Sequence, residues 1–320
     1  NEDGTIHAGV NGELYDHDRL LTDLRARGHR PRTESDSEVL VHLYEERGLA
    51  CLDDLRGQFA FVLHDVRSGT LVAGRDRFGM KPLFWSQEGE RLVLASEIRG
   101  LFALGVEPAW DPEGAFQALH FAQRVDRTLY RNVQQLAPGS ALIHRHGRTR
   151  VRSWWTPSYP WRRPMRRQRD AERTLQEAGA ALTEAVRLRT RADVPLGAYL
   201  SGGVDSSVVL SLARSTSGRD VRAFSIAFDH PEYDESDAAS EQARAVGAPF
   251  ERLHVTADDF AACFEDAVES GETLAYNGHV PARYVLSRAV QRAGIRVVLG
   301  GEGADELFGG YAFARGSLGG

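Results

Sequence analysis

The amino-acid sequence predicts two domains of different construction, a strand-rich α+β domain followed by an α/β domain built on a parallel sheet. Three observations lead there. The chain has 320 residues, 42% of them hydrophobic, which is more than one core usually serves and enough apolar side chain for two. Its first part alternates apolar and polar residues in short runs, His7 to Val10, Phe59 to Val66, Thr70 to Ala73 and Leu92 to Ala95, the period-two signature of strands. Its second part alternates strand-like with helix-like segments, the pattern of parallel strands joined by crossover helices.

Between the early strands, Asp16 to Arg27 sets Leu20, Leu21 and Leu24 on one helical face with Gly28 as a stop, and Ser37 to Glu46 repeats the pattern with Val39, Leu40 and Leu43. Ser35-Asp36-Ser37-Glu38 opens that second helix with the spacing of a capping box. Asn11-Gly12-Glu13 follows the first strand and reads locally as a turn. From Ser153 to Arg173 the sequence is rich in Arg, Trp and Pro and loses hydrophobic periodicity, so a solvated linker is expected there in preference to a nucleic-acid patch. The expected domains are residues 1–152 and 174–320. After the linker, Leu175, Leu182 and Val186 mark an amphipathic helix. Strands follow at Leu196 to Leu200, Ala223 to Phe228, Glu251 to Val255 and Arg296 to Leu299, with helices at Val204 to Ala213, Glu235 to Val246 and Ala282 to Ala293.

A net charge of −6 gives no global reason to expect nucleic acid or an anionic membrane as partner. No apolar run approaches the roughly 18 residues of a membrane span, and no signal peptide is recognisable. Cys51 and Cys263 are the two cysteines, too few for a disulfide framework, so a cytoplasmic enzyme is expected. The chain begins at Asn1 without Met and stops at Gly320 after a glycine-rich turn, and it is expected to be the interior of a longer protein.

Ligands of parallel sheets bind beyond the carboxyl ends of the strands, and two motifs fall there. Ser201-Gly202-Gly203-Val204-Asp205-Ser206-Ser207 sits between the strand ending at Leu200 and the helical run Val208, Val209, Leu212. Its glycines let the backbone approach an anion, its serines add donors, and the next helix offers free N–H groups. It lacks the Lys-Ser/Thr ending of a Walker A loop. Asp205 within an anion site makes chemical sense as a ligand of Mg²⁺, which shares hard oxygen donors with phosphate. The second motif, Gly300-Gly301-Glu302-Gly303-Ala304-Asp305-Glu306-Leu307-Phe308-Gly309-Gly310-Tyr311, follows Val297-Val298-Leu299. Asp305 can give the metal a second carboxylate, and Glu302 can act as a base or orient a nucleophile.

The first loop is similar to the pyrophosphate loop of the ATP pyrophosphatase superfamily, and the second resembles the segment of asparagine synthetases that closes over the adenylate. That resemblance implies ATP as substrate, Gly300 and Gly301 at the nucleotide, Glu302 at the intermediate, and Leu200 and Ile226 as apolar contacts to the adenosine. In the first domain the ordered series Val10-Asn11-Gly12-Glu13-Leu14-Tyr15, Ser35-Asp36, Phe59-Ala60-Phe61, Arg75-Asp76-Arg77-Phe78-Gly79-Met80-Lys81-Pro82-Leu83 and Ala95-Ser96-Glu97 resembles the class II glutaminase domain, which has an N-terminal-nucleophile layered fold. The resemblance implies that the Asn11 side chain and the Gly12 N–H form an oxyanion hole, and that Glu13 and Asp36 hold the α-amino group of glutamine. It places the nucleophilic cysteine upstream of Asn1, since neither Cys51 nor Cys263 matches it, and a catalytic lysine beyond Gly320.

Taken together the resemblance implies a ligase, a glutamine-dependent asparagine synthetase with glutamine, aspartate and Mg-ATP as substrates, no nucleic-acid or membrane partner, and a homodimeric assembly. Residues 1–320 alone are expected to be inactive in both half-reactions. Two alternatives stay open: a β-lactam- or isopeptide-forming relative that shares the adenylylating half, and a non-catalytic scaffold homologue.

Overall fold

The computed structural model describes residues 1–158 and 171–311. The chain divides into two compact units, Asn1–Trp161 and Arg162–Gly320.

Unit 1 runs β1 (Ile6–Leu14), α1 (His17–Ala26), α2 (Asp36–Arg47), a 3-10 turn (Gly48–Asp54), β2 (Gly57–Asp65), β3 (Thr70–Arg75), β4 (Phe84–Glu88), β5 (Arg91–Ala95), α3 (Ile98–Ala103), α4 (Pro112–Leu119), β6 (Gln134–Gln135), β7 (Ser140–Arg145) and β8 (Arg148–Ser153). An antiparallel sheet of order β1-β2-β3-β7-β8 lies beside a second of order β5-β4-β6. The alternation along β2 shows how they layer, because successive side chains leave opposite faces of a strand. Phe59, Phe61 and Leu63 pack with Leu20, Leu21, Leu24, Val39 and Leu40 of the helices. Ala60 and Val62 pack instead with Leu83, Trp85 and Leu94 of the second sheet and its approaches. Beyond that sheet, Ile98 and Leu101 of α3 cover Phe84 and Val93. The order is helix, sheet, sheet, helix.

Two local expectations are corrected, and two strands are added. Asn11, Gly12 and Glu13 are not a turn after the first strand: β1 continues through them in register with β2, pairing Asn11 with Ala60, Gly12 with Phe59 and Leu14 with Gly57. The Asn-Gly signal marks a close approach, since Gly12 has φ of 131° and a Cβ there would lie 1.9 Å from the Gln58 carbonyl oxygen. The capping box at α2 is not formed, although Ser35 still caps the helix. Ser35 accepts from Ser37 N–H at 3.3 Å, but the Glu38 carboxylate turns outward to accept the Arg32 and Thr33 N–H groups, each at 2.7 Å. Strands β7 and β8 went unforeseen because β8, Arg-Thr-Arg-Val-Arg-Ser, is a charged edge strand with no apolar alternation to detect.

The loop after β3 is fixed from within. Asp76, 1% exposed, accepts four backbone N–H groups, from Phe59 and Lys81 on Oδ2 and from Phe78 and Met80 on Oδ1. Buried Arg75 donates to the Lys81, Leu136 and Gly79 carbonyls at 2.7 Å each. Arg75 and Asp76 thus have their buried charged groups satisfied by backbone and hold residues 75–81 to β2, whereas the buried Nε of Arg77 has no hydrogen-bond partner among the described residues.

Asp111 performs two tasks at α4. It accepts from Glu113 N–H as the N-cap and takes both Nε and an Nη of Arg127, at 2.6 and 2.9 Å. The Arg127 hydrogen bond holds its carboxyl below the ordinary aspartate range. A depressed folded-state pKa contributes stability that is present above the unfolded value of about 3.9 and is lost as pH falls through the folded one. Asp111→Ala is expected to cost about 1–3 kcal/mol at neutral pH. In urea unfolding, the difference from wild type should shrink as the pH is lowered below about 3.9; a difference that grows in acid would exclude the pairing.

Unit 2 runs α5 (Ala171–Arg189), β9 (Leu196–Tyr199), α6 (Val204–Ser217), β10 (Arg222–Phe228), α7 (Ser236–Ala245), β11 (Phe250–Val255), α8 (Ala257–Gly271), α9 (His279–Arg292), β12 (Val297–Leu299) and α10 (Ala304–Phe308). All pairings in its sheet are parallel, in the order β11-β10-β9-β12. Leu196, Ala198, Leu200, Leu210, Ala213 and Ala243 form the main core, and Phe224, Val290 and Ile295 a second cluster under α9. Leu175 does not join the expected apolar stripe of α5, being 73% exposed, whereas Val186 is buried. Most of the linker expected over Ser153 to Arg173 lies outside the described residues; of its ends, Ser153 closes β8 and residues 171–173 begin α5. Among the described residues no helix is long and apolar enough to cross a membrane.

Candidate functional site

The order of the parallel sheet decides where unit 2 has a site. From β9 the chain steps outward to β10 and β11, then returns to place β12 on the other side of β9. A crevice opens at such a switch point, outside the carboxyl ends of the two strands whose connections depart in opposite directions. Here the strand order reverses between β9 and β12, paired Leu196 to Val297 and Ala198 to Leu299. The loops leaving them are the two sequence motifs.

The first loop is braced by its own hydroxyls. Ser206 Oγ accepts from Ser201 N–H at 3.2 Å and shares a hydrogen bond with Ser201 Oγ at 3.0 Å, while Gly203 N–H donates to Ser201 Oγ at 3.2 Å. Ser207 Oγ donates to the Gly203 carbonyl. Leu200 is 2% exposed in the core below, its N–H bonded to the Phe224 carbonyl. Ile226 is half-buried, two residues past the last β9–β10 pair and thus toward the carboxyl edge. Gly203 is the N-cap of α6 and no side chain caps this helix end, so its first-turn N–H groups suit an anion.

The second loop meets the first. A Cβ on Gly301 would lie 2.8 Å from Ser206 N and 3.0 Å from both the carbonyl carbon and Cβ of Asp205, a contact only glycine allows. Asp205 and Asp305 are both half-buried, and among the described residues neither carboxylate accepts a hydrogen bond or pairs with a cation. Two such carboxylates on abutting loops fit the oxygen-donor chemistry of Mg²⁺. Glu302, by contrast, is turned to α9, where it forms an ion pair with Arg283.

In unit 1, Asn11 and Glu13 share the face of β1 opposite to Val10 and Leu14, and both are exposed. The second sheet packs on this side of β2 and β3 but leaves edge strand β1 open. Asp36, the first residue of α2, reaches the end of that strand and accepts from Leu14 N–H at 2.7 Å. The structure therefore gathers Asn11, Gly12, Glu13 and Asp36 at one end of β1. Burial pushes the Cys51 thiol up to about 12 and raises that of Cys263 as well, so neither is a thiolate nucleophile at neutral pH.

Comparison with known proteins follows the same division. Residues 1–155 match the glutamine amidotransferase domain family, and residues 177–319 match the asparagine synthase family. The chain belongs to the asparagine synthetase family. Similar proteins include amidase chyE of Penicillium rubens, 34% identical over 99% of this chain and 49% of its own length. Amidase chry2 of Gibberella zeae is 35% identical with the same two coverages. The glutamine-hydrolysing asparagine synthetase 1 of Bacillus subtilis is 31% identical over 98% of this chain and 49% of its own. The chain spans about half the length of the curated relatives it matches.

Within this family member, two residues that frame the loops carried no signal in the sequence. Gln242 of α7 donates from Nε2 to the Gly202 carbonyl at 3.0 Å and accepts from Ser207 Oγ, clamping the first loop from the side. Arg283 orients Glu302. Neither belongs to a motif, and a glutamine or arginine on an exposed helix looks like any other until the fold brings it to a strand end.

Proposed function

We propose that the protein is a glutamine-dependent asparagine synthetase, a ligase that activates the β-carboxylate of aspartate with ATP and amidates it with ammonia from glutamine. The observation that carries this reading is the packing of Gly301 against Asp205 and Ser206 at the β9/β12 switch point, which brings the loop after β12 against the serine- and glycine-rich loop that carries Asp205.

In this reading the loop Ser201, Gly202, Gly203, Asp205, Ser206 and Ser207 and the start of α6 hold the phosphates of ATP through backbone N–H groups and hydroxyls. Gly300 and Gly301 allow close approach of the nucleotide, with Leu200 and Ile226 lining its adenosine side. Asp205 and Asp305 hold Mg²⁺, which when bound neutralises the charge of the phosphates. A carboxylate oxygen of aspartate bonds to the α-phosphorus, the bond from that phosphorus to the bridging oxygen breaks, and pyrophosphate leaves toward the loop. Ammonia then attacks the acyl carbon and AMP departs. Glu302, steadied by Arg283, takes the proton the ammonia must lose.

Glutamine hydrolysis is assigned to unit 1. The Asn11 side-chain amide and Gly12 N–H stabilise the oxyanion, while Glu13 and Asp36 receive the α-amino group of glutamine. Since both thiols of this chain are buried, the nucleophile in this reading comes from outside residues 1–320. An enzyme of this kind fits a cytoplasmic, homodimeric protein.

The amidases among its relatives favour a second reading with the same site chemistry, in which the activated carboxylate belongs to a molecule other than aspartate. ATP–pyrophosphate exchange by the whole protein with magnesium separates the two. Exchange that requires aspartate supports the synthetase, exchange with a different carboxylate alone supports the second reading, and no exchange with any carboxylate overturns both.

A further inference from the structure

We propose that unit 1 carries a divalent transition-metal site, of the tetrahedral kind zinc prefers, formed by Glu2, His29, His42 and Glu45. One ligand atom from each of these residues lies within 4.8 Å of all the others. The Nδ1 atoms of His29 and His42 are 3.2 Å apart, and each is 3.4 Å from an oxygen of the Glu2 carboxylate. Glu45 Oε2 completes the set at 4.0 Å from His29 Nδ1. Zinc bonds nitrogen and carboxylate oxygen at about 2.0–2.2 Å, so ligand atoms at tetrahedral angles stand about 3.3–3.5 Å apart. The two imidazole nitrogens have that spacing from each other, and each has it from one Glu2 oxygen, Oε1 toward His29 and Oε2 toward His42.

The outer nitrogens strengthen the case. His29 Nε2 lies 3.3 Å from Glu46 Oε1, and His42 Nε2 faces Glu38 Oε1 at 3.5 Å without a hydrogen bond of its own. Metal-bound imidazoles characteristically direct their second nitrogen to a carboxylate in this way, which fixes the tautomer with the proton outward. In that tautomer both inner Nδ1 atoms present lone pairs to each other and to two carboxylates. A cation at their common focus relieves the repulsion. The His42 ring is 1% exposed while the Glu2 carboxylate is 34% exposed, so the site has a buried floor and a solvent-facing entrance.

The donors come from three segments: the turn before β1, the loop after α1, and α2. Since α2 begins with Asp36, which holds Leu14 N–H, the metal would brace the frame of the strand carrying Asn11 to Glu13. It is a structural centre, independent of the magnesium chemistry of unit 2 and of the proposed reaction.

The test uses the purified whole protein, stripped with a chelator and titrated with Zn²⁺ in the absence of nucleotide, with Co²⁺ as a spectroscopic probe. The expected result is one high-affinity zinc per chain and the visible bands of tetrahedral cobalt. Glu2→Gln and Glu45→Gln, both at the surface, should keep the fold by circular dichroism and weaken zinc binding by at least about tenfold. His29→Ala should abolish it. No zinc uptake at micromolar metal, octahedral cobalt spectra, or unchanged affinity in the folded glutamate variants would each overturn the site.

Discussion

Asp205→Asn is expected to lower ATP–pyrophosphate exchange by the whole protein about a hundredfold or more, while leaving stability within about 0.5 kcal/mol of wild type. The two halves of this expectation have separate causes. Asp205 stands on the first turn of α6 with its carboxylate unpaired among the described residues, so the isosteric amide breaks no hydrogen bond and leaves the packing against Gly301 intact. The lost charge matters only when a cation and phosphates are present, because a neutral amide is a poor ligand for a hard divalent ion. Stopped exchange with an unchanged melting curve would agree with the assignment. Retained exchange would remove Asp205 from the site, and a large fall in stability would give it a structural role instead.

Gly12→Ala should produce the opposite pattern. A Cβ at this position would sit 1.9 Å from the Gln58 carbonyl oxygen and 2.9 Å from the Phe59 Cα, contacts with backbone that no rotamer relieves. The residue also has φ of 131°, which alanine adopts only under strain. Steric and conformational costs together place the loss at about 4 kcal/mol or more, unless β1 pulls away from β2 and carries Asn11 and Glu13 with it. Either route removes the proposed oxyanion hole. Glutamine hydrolysis should therefore fall below detection, while ATP–pyrophosphate exchange, assigned to unit 2 in the proposed reading, should stay within a few-fold of wild type. Normal glutamine hydrolysis by the variant would contradict the pairing of Gly12 with Phe59.

These predictions draw unequally on sequence and fold. Sequence alone singled out the loop Ser201 to Ser207 between a strand and a helix, because two glycines, three hydroxyls and a helix start lie within seven residues whose backbone preferences act locally. It likewise gave the strands of unit 2 to within about two residues, since each is a short apolar run bounded by turn residues. Local signals also misled. Asn-Gly at residues 11 and 12 has turn chemistry in isolation, yet pairing with β2 through Leu14 and Gly57 outweighed it, as sheet packing commonly overrides propensity. Strand β8 was illegible because an edge strand needs no apolar alternation.

What determined itself from the sequence was thus everything written in neighbouring residues: the two kinds of domain, most of their elements, and the two glycine- and carboxylate-bearing loops. Only the tertiary structure decided that β12 returns to the side of β9, so that Gly301 meets Asp205 across nearly a hundred residues of chain. Only it brought Gln242 to the loop after β9 and drew His29, His42, Glu2 and Glu45 together. The physical reason is the same in each case. Backbone preferences and side-chain periods are properties of adjacent residues, whereas strand order and side-chain convergence follow from burying the apolar faces of distant segments against one another.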